Sequence, residues 1–266
     1  MKTFFRTFLL QGFWNYAQMQ NIGALFIMMP GIKQIYKDNE KGFNRALRRN
    51  IEAFNSNPVM SVYSIGAMIK QERKIAVTSS SNLEEEEREF RIIRASTANT
   101  AASIGDRLFW ATLKPLSLAL SLIVLFGGEV RILQQDMSPR AILSTALLAV
   151  IGSLLVYNIP ALTTRYRGLL ASYKGNEENF YGLINVNWNK TIYFLKTLGQ
   201  VLTGFIIFYG LYIMFRAAVI DADSITRIAL LTAFVILSLV MKRLQVPAIY
   251  LYIAATAVFL VASLLA

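Results

Sequence analysis

From Phe109 onward the chain alternates long apolar runs with short charged loops. Five of those runs approach the about 20 residues that a helix needs to cross a bilayer. They cover residues 108–126, 141–162, 191–215, 225–241 and 247–266, the first and fourth being short enough to tilt little or to be partly re-entrant. The first hundred residues follow a different pattern. Phe43, Leu47, Ile51 and Phe54 recur at helical spacing, with Arg45, Arg48, Arg49 and Glu52 on the other side. Trp14, Met19, Ile22 and Phe26 form a looser stripe before Pro30. Such helices lie on a membrane or pack against a partner, and neither spans a bilayer alone. A small soluble helical domain attached to the membrane anchor is the other reading of this part.

Breaks in the pattern carry information too. "FNSNP", residues 54–58, ends the amphipathic helix at a proline, which biases the residue before it toward extended backbone. "VMSVYSIGAMI", residues 59–69, is then apolar but too short to span. A re-entrant segment of that kind is tolerated only when protein buries it or it lines a cavity. Ser81 and Asn82 before "LEEEEREF" read as a helix start, with Glu84 or Glu85 closing a capping box. The four glutamates suit the positive end of a helix dipole and read as a solvated face; "TSSS" before them reads as a linker. The fold class is an all-α integral membrane protein. Amphipathic and re-entrant helices in residues 1–105 precede about five transmembrane helices in 106–266, the whole forming one membrane domain.

Composition sharpens this picture. Hydrophobic residues make up 55% and charged residues only 16%, with a mean hydropathy of +0.45; soluble proteins carry about 25% charged residues. The net charge of +11 therefore points to loops held on the cytoplasmic side rather than to nucleic acid, for which no basic-aromatic groove pattern is present. With the N-terminal part cytoplasmic, the inside loops hold Arg165, Arg167, Lys174, Lys190, Lys242 and Arg243. In the outside loops Arg131 and Arg140 are offset by Glu129 and Asp136, and Arg216 by Asp221 and Asp223. The opening "MKTFFRTFLLQGFW" interrupts its apolar run with charge and lacks a small-residue cleavage site, so it reads as mature structure.

The chain has no cysteine and no histidine. That removes disulfides, thiolate nucleophiles and Cys-ligated metals, as well as the commonest general base and a phosphorylatable imidazole. If a phosphoryl group is handled, another chain carries it. No Walker loop, dinucleotide fingerprint or metal cluster appears, so no catalytic residue, metal or cofactor is expected, and the Asn189-Lys190-Thr191 sequon reads as chance. What remains is polar side chains at structural breaks. Asn55, Asn57, Gln71 and Glu72 are expected around a polar pocket, because amides and carboxylates suit sugar hydroxyls. For Asn55 a helix C-cap is an equal alternative.

Several motifs together resemble the IID membrane component of the mannose/fructose/sorbose-type sugar phosphotransferase system. "RTFLLQGFWNYAQMQNIGALFIMMPGIKQIY", residues 6–36, is similar to the opening of that family, with its Q-G-x-W-N-[YF] and M-Q-x-x-G core. "ALRRNIEAFNSNP", residues 46–58, resembles R-R-H-x-x-F-F-N-T-x-P, and "IGDRLFWATLKP", residues 104–115, resembles G-x-G-D-x-x-F-W-x-T-x-x-P. "TRYRGLLASYKG", residues 164–175, is a weaker echo. Asn50 replaces the family histidine, "NTAAS" at 99–103 replaces a glycine-proline-rich lead that would form a tight turn, and Gln71-Glu72-Arg73 keeps one acid of a glutamate pair.

The resemblance implies a multi-pass subunit of the bacterial inner membrane, N-terminus cytoplasmic, and not an enzyme by itself. It would form the hexose path with a IIC partner while a cytoplasmic IIAB partner phosphorylates the sugar. The substrate-binding residues it implies are Asn55, Asn57, Glu72, Asp106 and Trp110. Asp106 would pair with Arg107 or meet the sugar at a helix start, and Trp110 would stack on a sugar face or anchor the membrane interface. The rival reading is a degenerate IID-like scaffold or regulator without transport.

Overall fold

The computed structural model describes residues 2–133 and 138–216, with Thr232 and Arg243. Among these the secondary structure is helical throughout: α1 (Lys2–Arg6), α2 (Asn21–Ile35), α3 (Glu40–Asn50), α4 (Ser61–Val77), α5 (Leu83–Gly105), α6 (Lys114–Leu133), α7 (Pro139–Lys174) and α8 (Trp188–Arg216). Two compact units divide at Ile206 and Ile207. All side chains discussed below belong to the first.

Among the described residues, three helical stretches are long and apolar enough to cross a membrane: Leu83–Leu125, Pro139–Lys174 and Trp188–Gly210. The expected spans 141–162 and 191–215 fall inside α7 and α8. The expected span at 108–126 does not begin a helix. It continues α5 without a break through a π-helical stretch, Asp106–Leu113, into α6. "NTAAS" is accordingly helix interior, not the turn anticipated there. Residues 225–241 and 247–266 lie outside the described residues.

Helix α4 is the centre of the first unit. Its residues Ser61–Ile69 are all buried, as are Gln71, Glu72 and Ile75, because α5 packs on one side and α7 on another. An element apolar nearly all round must be covered on every face; here protein does the covering. Met28, Ile32, Ile65, Met68 and Phe90 fill one core between α2, α4 and α5, and Met60, Tyr63, Leu108, Phe109 and Leu183 fill a second. Gly66 and Gly168 let α4 and α7 approach. A Cβ on the first would collide with Ser172 and on the second with the Tyr63 ring. The Ser172 hydroxyl donates to the Val62 carbonyl across this contact (3.1 Å), small-residue packing of the kind that joins membrane helices.

The expected apolar stripes are only partly the buried ones. On α2 the core face is Asn21, Gly23, Ala24, Ile27, Met28 and Ile32, while Trp14, Met19 and Ile22 are exposed. Helix α2 also runs on past Pro30 to Ile35. On α3 the buried residues are Ala46, Arg49 and Asn50, so Arg49 turns inward and not, as its place among arginines suggested, to the polar side. Helix α5 does start at Leu83, but Asn82 makes no side-chain cap, so no capping box forms.

Candidate functional site

Arg49 is inward because a carboxylate waits for it. Glu72, fully buried on α4, accepts from Arg49 Nε at Oε1 (2.8 Å) and from Arg49 Nη2 at Oε2 (2.7 Å). Asn50 donates to Oε1 (2.6 Å) and the Tyr36 hydroxyl to Oε2 (2.9 Å). Both oxygens thus hold two donors each, about the capacity of a carboxylate. Arg49 also pairs with Glu87 (2.7 Å), and Glu86 pairs with Lys74 (3.0 Å) while accepting from Gln71 (3.1 Å). The glutamate run is therefore not simply a solvated face: two of its four members tie α5 to α3 and α4. Arg94 of α5 closes the same corner by donating to the carbonyls of Arg49 (2.7 Å) and Ala53 (2.9 Å) at the end of α3.

These contacts set protonation. Burial opposes the Arg49 charge, but its hydrogen bonds and charge interactions with Glu72, Tyr36 and Glu87 hold its pKa above the ordinary value. Burial, then the Glu72 charge, pushes Tyr36 up, and burial pushes Tyr63 up to about 12. Tyr181 rises to about 12 for the same first reason. A tyrosine raised in the folded state keeps its stabilising, neutral form below the unfolded value of about 10 and loses that contribution as pH climbs through the folded values. Melting temperature is therefore expected to fall between about pH 10 and 12. A melting profile flat across that window, followed at constant detergent and salt, would contradict these buried hydroxyls.

Asn57 builds a second polar point. Its Oδ1 accepts from the backbone of Val59 (3.0 Å) and Met60 (3.3 Å), so it initiates α4 and does not close α3. Its Nδ2 donates to Asp106 Oδ1 at the start of the π-helical stretch (3.0 Å). Gly105 packs directly on Asn57, where no Cβ fits. Asp106 does not pair with Arg107, which instead donates to Asn189 Oδ1 (3.2 Å). Asn55 is exposed and lies past Ile51, the cap of α3, so the C-cap alternative for it falls away. Asn57 and Asp106 are thus joined. Glu72 belongs to a separate, saturated network, and Gln71 donates to Glu86.

Trp110, about half exposed, stands between two cavities. One, of about 200 Å³, is lined by Gln11, Pro58, Tyr157, Asn158 and Arg165 among others, and the second, of about 460 Å³, by Lys114, Ser117 and Ser153. Gln11 opens the Q-G-x-W-N-[YF] core, whereas Tyr157 and Asn158 fall outside the motifs and have as local signal only "YNIP", residues 157–160, a polar break inside an apolar run.

The model of the PTS system mannose/fructose/sorbose family IID component matches residues 1–265. The mannose-specific EIID component of Escherichia coli K12 is 28% identical over 170 residues, covering 64% of this chain and 53% of that protein. The fructose permease IID component of Bacillus subtilis 168 is 28% identical over 178 residues, covering 65% and 56%. The matched stretch thus spans about half the length of these relatives. A solved chain of the mannose transporter ManYZ in complex with microcin E492 shares the fold, with a TM-score of 0.53 at 19% identity over 98% of this chain and 94% of that one. A match along virtually its entire length, on a frame of membrane-long helices, shows that the chain belongs to the mannose/fructose/sorbose family of phosphotransferase-system IID components.

Proposed function

We propose that this protein is the membrane subunit of a sugar transporter of the bacterial inner membrane. It forms the hexose path with a IIC partner, and a cytoplasmic IIAB partner phosphorylates the sugar. The family match over residues 1–265 supports this reading, and the names of the relatives, mannose-specific and fructose permease, favour a hexose. The chain acts as one IID-like domain with about five spans, its N-terminal part cytoplasmic, as the Lys/Arg distribution favours. The buried α4 region serves as its re-entrant part. Asn57, Asp106 and Trp110 face the sugar, while Glu72, with both oxygens occupied, holds the frame on which they stand. Asn55, exposed beside them, is positioned for a partner or a sugar hydroxyl.

Exposed leucines, isoleucines and aromatics line α7 and α8, including Leu147, Ile151, Leu155 and Phe205. Lipid and a second membrane protein share that cover. Deleting the gene should abolish uptake of at least one hexose, restored by the chain supplied in trans, and detergent extraction should yield a mass larger than this chain alone. Unimpaired hexose uptake together with a well-behaved monomer would leave a scaffold or regulator instead.

A further inference from the structure

We infer that the cavity between the π-helical stretch and the proline break of α7 binds a single monosaccharide ring. Gln11, Tyr157, Asn158 and Arg165 supply the polar contacts and Trp110 the apolar wall. The inference rests on the transporter reading and adds to the motif residues Gln11, Trp110 and Arg165 two that lie outside the motifs, Tyr157 and Asn158.

Two irregular helices meet there. Trp110 sits in the π-helical stretch Asp106–Leu113, and π segments inside α-helices occur frequently at functional sites. Across the cavity, Pro160 lies inside the continuous helix α7 beside Tyr157, Asn158 and Ala161 and has no N–H to donate to the Val156 carbonyl. At membrane depth such backbone departures persist where protein buries them or a cavity receives them. Both departures face one cavity.

The lining is unsatisfied in a way that suits hydroxyls. The Trp110 indole N–H, the Tyr157 hydroxyl and the Gln11 side-chain amide have no hydrogen-bond partner among the described residues. Asn158 uses its Nδ2 on the Leu154 carbonyl (2.8 Å) and keeps Oδ1 free. Arg165, only 9% exposed, is pinned through Nη1 to the carbonyls of Thr7 (2.9 Å) and Pro58 (2.7 Å). Its guanidinium carbon lies 4.9 Å from the Phe8 ring centroid, and its remaining N–H groups are uncommitted. Donors and acceptors alternating around an indole match a ring with hydroxyls at its edge and C–H groups on its face. No carboxylate lines the cavity, and its one cation already serves two carbonyls, which favours a neutral polyol over a metal or a phosphate. The volume, about 200 Å³, lies below the ~300–1,000 Å³ of sites for larger ligands and matches one ring.

With the N-terminal part cytoplasmic, this cavity lies where the first two spans meet the inner face. That is where a sugar awaiting phosphorylation has to be held. Asn57, bonded to Asp106, directly precedes Pro58 of the lining in the chain.

The test uses the chain together with its membrane partner, and D-mannose, D-fructose and L-sorbose as probes. In uptake assays Asn158→Leu and Gln11→Leu should each raise KM about tenfold for a transported sugar, the worth of one well-made hydrogen bond, at unchanged protein level. Should Asn158→Leu fail to accumulate, Gln11→Leu on the exposed N-terminal segment still decides. In a Trp14→Phe/Trp188→Phe background Trp110 is the sole indole of this chain, and the emission lost on adding Trp110→Phe to the same complex should shift saturably with the same sugar. Unchanged KM in both variants with intact transport would overturn the site and leave the transporter reading standing. A Trp110 response to lipid vesicles but not to sugar would overturn it in favour of a lipid site. Uptake of none of the three sugars by the native complex would overturn both.

Discussion

Replacing Arg49 by methionine should destabilise the protein by about 3–5 kcal/mol, the usual cost of stripping one partner from a buried ion pair. Glu72 is fully buried and would keep only Tyr36 and Asn50 as donors, while Glu87 would lose its link to α3. The cost arises less from the attraction lost than from a carboxylate left without its counter-charge. The double variant Arg49→Met/Glu72→Met should therefore recover much of the loss, because both charges leave together. Urea unfolding in detergent of the two single variants and the double one measures this coupling. Additive losses in that cycle would show that the pair is not energetically joined, whatever its geometry. Asn50 adds a smaller test of the same corner. Its Oδ1 is buried and has no partner, so the network is complete around Glu72 but not around Asn50.

Asp106→Asn should leave the protein in the membrane at its normal level while cutting hexose uptake about tenfold. Asp106 is exposed and accepts from Asn57, and it does not pair with Arg107, so no buried counter-charge is stranded by the change. Asparagine can still accept from Asn57 Nδ2, which keeps the junction between α4 and the π-helical stretch. What disappears is the negative charge of the acceptor. The gap between a charged and a neutral hydrogen bond, roughly 1–2 kcal/mol, corresponds to about a factor of ten. Uptake and abundance have to be measured side by side. Normal uptake at normal abundance would remove Asp106 from the sugar path and leave it as the partner that orients Asn57. Loss of the protein itself would make the junction structural. Asn57→Ala gives the contrasting result, since it also removes the acceptor for the Val59 and Met60 N–H groups at the start of α4 and should lower stability first.

Apolar periodicity and composition were enough to read helices, a membrane setting and the position of two long spans, because both depend on which residues can leave water. The three motifs were enough to place the chain in its family. Local signals did less well wherever a residue's neighbour lay far along the chain. Arg49 stands in an arginine-rich helix and reads as solvated; Glu72, 23 positions later, draws it inside. Glu86 and Glu87 read as a charged face until the fold brings Lys74 and Arg49 against them. "NTAAS" stands where a glycine-rich lead would form a tight turn, but alanines favour helix and α5 continues through it.

The candidate site divides the same way. Asn57 and Asp106 were legible because each stands at a visible break, a proline in one case and the entry to an apolar run in the other. That Asn57 and Asp106 bond across 49 positions could be settled only by packing α4 against α5. Gln11, Tyr157 and Arg165 carry no shared local pattern, and they line one cavity because the N-terminal segment, the π-helical stretch and the proline break of α7 converge on it. Hydrophobic pattern is a property of neighbours along the chain, so sequence alone determines which segments leave water and form helices. Which charges become buried partners, and which polar groups are left facing empty space, depends on contacts between segments. Those contacts are made only in the tertiary structure.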